Sequence, residues 1–438
     1  MAHITICNFG PIERISIPLN RIMLFMGPQS SGKSTVAKLI STCLWMEKDI
    51  VFHQSTNHID RRYVDENIIG YHEFQGYLRD GWSLEYSGDV MKLRVSADSL
   101  ECSAAVNLSQ ASLSKNIYIP AERTCVAIKG LERLQMDANY QRSFIFEWLD
   151  VQSRIKSAHA YRLSESVGLS ESFYYDEATN SAKIIVNDSG RTIDFSAASS
   201  GIKSLIPLLL PFDHMLYKVY EAREVFSYDK KEKIKEVMID EIIRSNGISD
   251  VELSHYRSLL APKLVEQLKE TLDAMIEAPN TEQLPDSIRQ LISLREHITT
   301  PVYTNVVIEE PDQNIFPQTQ AALTYYLMRQ ASQAGERLGT MVITTHSPFI
   351  LYAVNNCMLG YKVGSTVPGT VAEGLASGSW TDPALVSIYE IKDGYVMSPD
   401  GRRDATIQNA EGLVTKNYFD TAMGGIMKTF RNLLSFSD

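Results

Sequence analysis

The tightest constraint on this chain is local. Residues 25 to 40 read FMGPQSSGKSTVAKLI and hold the pattern G-x-x-x-x-G-K-[ST] between an apolar run and an amphipathic stretch. Ile22 to Met26 are all apolar, as a buried strand requires. From Gly27 to Gly32, two glycines and the small Ser30 and Ser31 let the backbone turn tightly and present its N–H groups to an anion. After Lys33, the apolar Val36, Leu39, Ile40, Cys43 and Leu44 recur at helical spacing, which predicts a helix that starts at the loop and aims its positive end at the same point. Strand, loop and helix stand in the order of a nucleotide phosphate cradle. Lys33 would reach the β- and γ-phosphates of ATP, and the Ser34 hydroxyl would ligate Mg2+.

Composition narrows the setting. A chain of 438 residues, 44% apolar and 22% charged, is expected to form two or three globular domains. Its net charge of -11 speaks against a generally basic nucleic-acid surface and leaves room only for a local patch. Cys7, Cys43, Cys102, Cys125 and Cys357 show no C-x-x-C spacing, as expected of reduced thiols in the cytoplasm. His53 and His58 are close in sequence, but no second cluster completes a metal-ligand set. The amino terminus has no apolar targeting region, and the apolar SLIPLLLPF is short and interrupted by Pro207 and Pro211, so no membrane span is expected.

Along the chain, WSLEYSGDVMKLRVS predicts a hairpin around a Ser-Gly-Asp turn, residues 138 to 168 read as helical, and SFYYDEATNSAKIIVNDSGRTIDF predicts three short strands. Residues 212 to 298 are charged and helix-patterned, with stripes at Ile234, Val237, Met238 and Ile242 and at Leu264, Leu268, Leu272 and Met275, too short for a coiled coil. They predict a compact helical insert. Lys230, Lys231, Lys233 and Lys235 make its best basic cluster, interleaved with acids. After the strand-like YTNVVIEE and GTMVITTH come a hairpin-like SIYEIKDGYVMS and a last amphipathic segment, GIMKTFRNLLSF.

The remaining chemistry sits at the ends of those two strands. In NVVIEEPDQNIFP, Glu309 would hold Mg2+ directly or through water, and Glu310 would take the proton of an attacking water. In MVITTHSPFI, His346 follows a strand in the same manner and would contact the γ-phosphate or orient the water. FSAASSGIKSLIPLLL adds Ser199, Ser200 and Gly201 ahead of a helix-compatible run, a second anion-binding loop or an ordinary capped helix start. One nucleotide does not need two such loops from one chain, so two chains pairing head to tail would each close the other's site.

In this order, cradle, serine-glycine signature, acidic strand and histidine resemble the ABC-type ATPases of the SMC and RecF group. The stretches NFGPIERISIPLNRIMLFMGPQSSGKST, IYIPAER, SSGIKSLIPLLL, IEEPDQNIFP, TTHSPFIL and EGLVTKNYFDTAMGGIMKTFRNLL resemble more closely the ATPases related to OLD nucleases, including subunits of antiphage systems such as PARIS and Septu. The resemblance implies an α/β ABC-type P-loop NTPase core with an antiparallel β lobe. It implies that Gly32, Lys33, Ser34 and Thr35 bind the triphosphate and Mg2+, that Ser199 and Gly201 contact it from a second chain, that Asp312 lies in the pairing loop, and that Glu309, Glu310 and His346 are metal-side acid, base and switch. It further implies an ATPase that forms a homodimer or higher homo-oligomer, answers a phage-derived trigger and holds a separate toxic effector. The alternative is a RecF- or SMC-like repair ATPase that binds DNA directly.

The chain departs from the pattern in three places. Glu309 stands where such ATPases usually have Asp, the insert follows the signature instead of preceding it, and the tail shows no clustered D-x-D of a TOPRIM nuclease. A nuclease, TOPRIM or HNH, would therefore come from a partner. The expected segments are a first core part over 1–211, the insert over 212–298, a second core part over 299–351 and a closing α/β segment over 352–438. Gln54 and Gln75 are both candidates for the glutamine that links metal to lobe, and Arg123 for a charged contact near the nucleotide or a structural salt bridge.

Overall fold

The structure is a computed structural model that describes residues 2–130, 138–186, 189–220, 234, 236–240 and 286–436. Most of the expected helical insert, with the Lys230 to Lys235 cluster, lies outside the described residues. The chain opens with β1 (His3–Phe9), β2 (Ile12–Pro18) and β3 (Ile22–Met26), then runs through the phosphate loop into α1 (Lys33–His53). A short α2 (Arg61–Val64) leads to β4 (Leu78–Ser87), β5 (Met91–Ser96), β6 (Leu100–Ala104) and β7 (Ser114–Ile119). Next come α3 (Tyr140–Ser153), β8 (Tyr161–Arg162), β9 (Ser172–Asp176), β10 (Ser181–Val186), β11 (Arg191–Asp194) and α4 (Ser200–Leu216). The chain closes with α5 (Asp286–Thr299), β12 (Tyr303–Glu309), α6 (Pro317–Ala334), β13 (Leu338–Thr344), α7 (Pro348–Val363), α8 (Gly369–Ala372), β14 (Val386–Lys392), β15 (Tyr395–Val396) and α9 (Tyr418–Leu434).

Eleven strands form one sheet in the order β6-β5-β4-β1-β2-β15-β14-β3-β13-β12-β7, and β8 to β11 form a second, antiparallel sheet. From β14 to β7 every pairing is parallel, whereas β1, β2, β4, β5 and β6 pair antiparallel. This is an α/β architecture with a parallel core, in which the phosphate loop follows β3, and an antiparallel lobe, as expected. The parallel strands are buried on both faces and read as continuous apolar runs. Leu24, Ile308, Ile343 and Ile388 point to the side covered by α4, α6 and α7, while Phe25, Val307, Val342 and Tyr389 point to the side covered by α1 and the lobe. Each face thus gathers its own core from alternate residues of the same strands.

Two expectations change. The helix expected over 138 to 168 ends at Ser153, because Tyr161 and Arg162 leave it to pair with β9. Pro207 and Pro211, read as interruptions of an apolar run, both lie inside α4. A proline in a helix removes a backbone hydrogen bond and costs about 3 kcal/mol or more. Here Leu205, Ile206, Leu208, Leu209 and Phe212 are buried around them and offset it. Among the described residues no helix is long and apolar enough to cross a membrane.

The lobe docks on α1 through a buried acid. Glu47 Oε1 accepts the backbone N–H of Val90 at 2.9 Å and of Met91 at 3.3 Å, fastening the β4–β5 turn to the helix. Burial pushes its pKa up to about 7, although those two N–H groups favour the carboxylate. The folded chain therefore holds a proton that the unfolded chain releases near its ordinary value. That contribution is complete below the unfolded pKa and is lost as pH rises through about 7. Raising the pH from 5 to 8 should cost about 2.5 kcal/mol of stability from this group, and Glu47→Gln should flatten that part of the profile in denaturant unfolding at both pH values.

Candidate functional site

The parallel register brings the chemistry together. Phe25, Thr344 and Glu309 stand side by side on β3, β13 and β12, so the phosphate loop, the Thr345-His346 turn and the two glutamates all emerge at the same ends of adjacent strands. Such carboxyl ends are where open α/β sheets bind ligands.

The loop's shape depends on its glycines. Gly27 has φ 144° and Gly32 φ 102°, both in the region that disfavours side chains, and Ser30 adopts φ 59°. A Cβ on Gly27 would lie 2.2 Å from the Ile391 carbonyl oxygen, and one on Gly32 would press on Ile12 at 3.0 Å. Gly32 caps α1 with no side-chain hydrogen bond, which leaves the first-turn N–H groups facing the loop. Lys33 is buried and donates to the carbonyls of Pro28 at 2.7 Å and Gly27 at 3.1 Å, so a phosphate would have to draw it from its own loop. Burial lowers its pKa to about 8 against the opposing pull of Glu310 and Asp312. Thr35, two places further on, is buried.

Glu309 is almost wholly buried at the end of β12. Its Oε2 accepts the Ala121 N–H at 3.4 Å, while Oε1 is buried with no partner. Burial raises its pKa, with Lys38, the Ser34 hydroxyl and the Tyr118 phenol pulling the other way. A buried carboxylate oxygen lacking a donor, next to the first-turn hydroxyl of Ser34, is the donor set that a hard divalent cation requires. The residues present therefore fit Mg2+. The longer arm of Glu309 does not keep the group from the loop.

Glu310 turns outward through a left-handed backbone, φ 41°, its N–H bonded to the Thr344 carbonyl at 3.0 Å. A non-glycine residue held there costs on the order of 1 kcal/mol and marks a position fixed for reasons other than stability. Its Oε1 lies 3.2 Å from His346 Nε2, and this hydrogen bond, ahead of a smaller opposing burial effect, keeps the carboxyl below its ordinary pKa. Asp312 accepts the Thr345 hydroxyl at 2.6 Å, with burial raising its pKa. Lys33, Ser34, Glu309, Glu310, Asp312 and His346 are thus brought into one constellation.

Ser199 and Gly201 are not part of it. Ser199 caps α4, accepting the Ile202 N–H at 3.4 Å, and Gly201 packs beside the Asn314 carbonyl. The groove in front of Ser200 and Lys203 is lined by Glu122, Thr124, Gln313 and Asn314, with no residue of the phosphate loop. Gln54 caps the far end of α1, about 30 Å of helix from the loop. Gln75 instead lies by Tyr77, whose carbonyl accepts the Gly10 N–H at 2.6 Å, next to the Pro11 and Ile12 that touch Gly32.

The feature that sequence reasoning placed least well is Arg123, which forms no salt bridge among the described residues. Wholly buried, it donates through Nε to the Ser204 carbonyl and through Nη2 to the Ser204 hydroxyl and the Glu310 carbonyl. Nη1 donates to the carbonyls of Pro120 and Glu309. All five guanidinium N–H groups are used. Its only sequence signal is the polar PAER following an apolar strand, which does not reveal carbonyl partners in distant elements.

Two outcomes are expected. Affinity for a nucleoside triphosphate should fall about tenfold between pH 7 and 9 as the Lys33 ammonium is lost, measured by fluorescent-nucleotide titration at both pH values. Arg123→Lys, which keeps the charge but cannot reproduce the fork, should lower the unfolding free energy by roughly 2–4 kcal/mol, read from denaturant melts.

No protein-family model matches this chain, and no curated protein matches its sequence. Among solved structures it is similar to the SMC head domain from Thermotoga maritima, at 11% identity with 80% of this chain and 90% of that chain covered and a TM-score of 0.31. It is also similar to the recombination mediator protein RecF of the RecFOR pathway, at 9% identity with 90% and 96% covered and a TM-score of 0.29. A dimeric ATP-binding cassette in a post-hydrolysis state, bound to ADP and Pi, gives 10% identity, 93% and 99% covered and a TM-score of 0.25. At these TM-scores none of the likenesses bears on what the chain does.

Proposed function

We propose that this chain binds and hydrolyses ATP in paired subunits and uses the cycle to hold and release a separate effector protein. The observation that carries the hydrolytic part is the convergence of Lys33, Ser34, Glu309 and the Glu310–His346 pair at the ends of three adjacent strands. Mg2+, held by Ser34 and Glu309, would neutralise phosphate charge. Lys33 binds the triphosphate. Glu310 accepts the proton of the attacking water, and His346 orients that carboxylate and must yield its hydrogen bond as the proton arrives. In the free chain the bond to His346 makes Glu310 a weak base, so turnover waits on a rearrangement at this pair.

Pairing is supported by the position of Ser199, Ser200 and Gly201, a capped helix start exposed on a face that the chain's own phosphate loop does not share. A second chain docked head to tail would set that loop over the nucleotide, with Asp312 and Gln313 at the rim. Support for a further partner comes from α9. Its base is anchored by the Asn417–Asp420 capping box and by the Tyr418 N–H on Glu390 at 2.9 Å, yet no residue of the helix is buried. Met423, Ile426, Met427, Phe430, Leu433 and Leu434 form one exposed apolar stripe. A monomeric soluble chain has no reason to keep such a stripe. Together with the motif resemblance, this favours an antiphage defence subunit whose effector, a nuclease of TOPRIM or HNH type, covers the stripe until a phage-derived trigger frees it.

The test is Glu310→Gln. ATP turnover should drop at least about 100-fold, and with ATP and Mg2+ the variant should sediment as a pair or larger. The tagged variant, recovered from its native host, should bring down a stoichiometric effector polypeptide, and Ile426→Asp with Phe430→Asp should lose it. Undiminished turnover, or a monomer with ATP bound, would remove the paired ATPase. DNA recovered without a protein partner would replace the effector scaffold by the DNA-binding repair clamp.

A further inference from the structure

The far end of α1 carries chemistry that the nucleotide site does not use. Asp49 and His53 lie one turn apart on the last stretch of the helix, Gln54 ends it in a left-handed conformation at φ 52°, and the following connection folds His58 back over His53. The two imidazole rings stand 4.4 Å apart, and both converge on a single carboxylate. His58 Nε2 lies 2.8 Å from Asp49 Oδ2, and His53 Nδ1 lies 3.3 Å from Asp49 Oδ1 and 2.9 Å from the Asp49 carbonyl. One ligand atom from each of the three residues falls within 4.8 Å of the others.

We propose that Asp49, His53 and His58 form a binding site for a divalent transition metal of the Zn2+ class. Two imidazoles and one carboxylate suit Zn2+ and its neighbours and do not suit Mg2+ or Ca2+, which take oxygen. Metal–ligand bonds of about 2.0–2.1 Å in tetrahedral geometry separate the ligand atoms by about 3.3 Å, against 3.3 and 2.8 Å from the Asp49 oxygens to the His53 and His58 nitrogens. Asp49 is already oriented from outside by the Tyr63 hydroxyl, which donates to Oδ2 at 3.0 Å, as a ligating carboxylate requires. The three residues are partly exposed, which leaves solvent or a further ligand to complete the coordination. A bound ion would bolt the end of the phosphate-loop helix to the connection that leads into α2.

The experiment uses the full, tag-free chain, stripped with chelator and kept in millimolar Mg2+ so that the Ser34–Glu309 site does not compete. Titration with Zn2+ should show one tight equivalent per chain and raise the thermal midpoint by at least about 2 °C. Co2+ should give the visible absorption of a four-coordinate ion. His58→Ala and Asp49→Asn should each weaken Zn2+ binding by at least about 100-fold and abolish the Co2+ spectrum. Asp49→Asn keeps the shape and hydrogen bonding of the side chain, and circular dichroism of both variants separates lost ligation from lost folding. A wild-type chain that takes up no Zn2+ at micromolar concentration, or folded variants that bind it as well as wild type does, would overturn the assignment.

Discussion

Arg123 is a full positive charge enclosed by neutral oxygens, and the arrangement of the site hangs on it. Burial makes its guanidinium easier to deprotonate, lowering its pKa to about 10, and nearby Asp312, Glu310, Glu309 and Glu122 oppose that only in part. A buried cation without donors satisfied costs several kcal/mol, so the five hydrogen bonds are a condition of folding and not an addition to it. They tie the end of β7 through Pro120, the end of β12 through Glu309 and Glu310, and α4 through Ser204. Two of the four carbonyls that Arg123 holds belong to Glu309 and Glu310, whose carboxylates face the phosphate loop. The helix that carries Ser199 is fixed to the same side chain, so the exposed serine loop and the acidic strand end cannot shift independently.

Around that hub the sheet works as a partition. Alternate residues of the parallel strands feed separate cores, one shared with α4, α6 and α7 and one shared with α1 and the lobe. The lobe's antiparallel strands meet the parallel part at the short β15, where the pairing with β2 is Tyr395 with Arg14. Side chains reinforce this narrow seam. Asp404 accepts the Ser16 N–H at 2.8 Å and pairs with Arg14 at 3.0 Å, and the Gly394 carbonyl accepts the N–H groups of Glu13 and Arg14. The turn between β1 and β2 rests on Gly32, so the seam lies next to the loop between β3 and α1.

What the sequence makes legible follows from the range of the forces involved. The phosphate loop, the helix after it and the hairpin around Ser-Gly-Asp are dictated by neighbours within a few residues, and all appear where their periodicity and turn residues put them. The apolar runs before Glu309 and His346 are equally local, but their juxtaposition is not. It depends on β13 inserting between β3 and β12, which no pattern in either run encodes. Arg123 is opaque for the same reason, since Ser204 and Glu309 lie 81 and 186 positions away. Gln54 and Gln75 look equivalent as letters and are separated only by the length of α1. Asp49 and His53 lie one helical turn apart on α1, but His58 joins them only when the connection after the helix folds back.

The left-handed backbone at Glu310 sets stability against chemistry at a single position. Glycine would adopt φ 41° without penalty and asparagine nearly so, whereas glutamate keeps the strain so that its carboxylate can face His346. Selection for a more robust fold, whether in a laboratory or by algorithms that score each residue against its backbone, would replace the residue proposed to accept the proton. A hardened descendant of this chain would therefore be expected to gain melting temperature and lose turnover together at position 310. Any search for stabilised variants has to hold that residue constant.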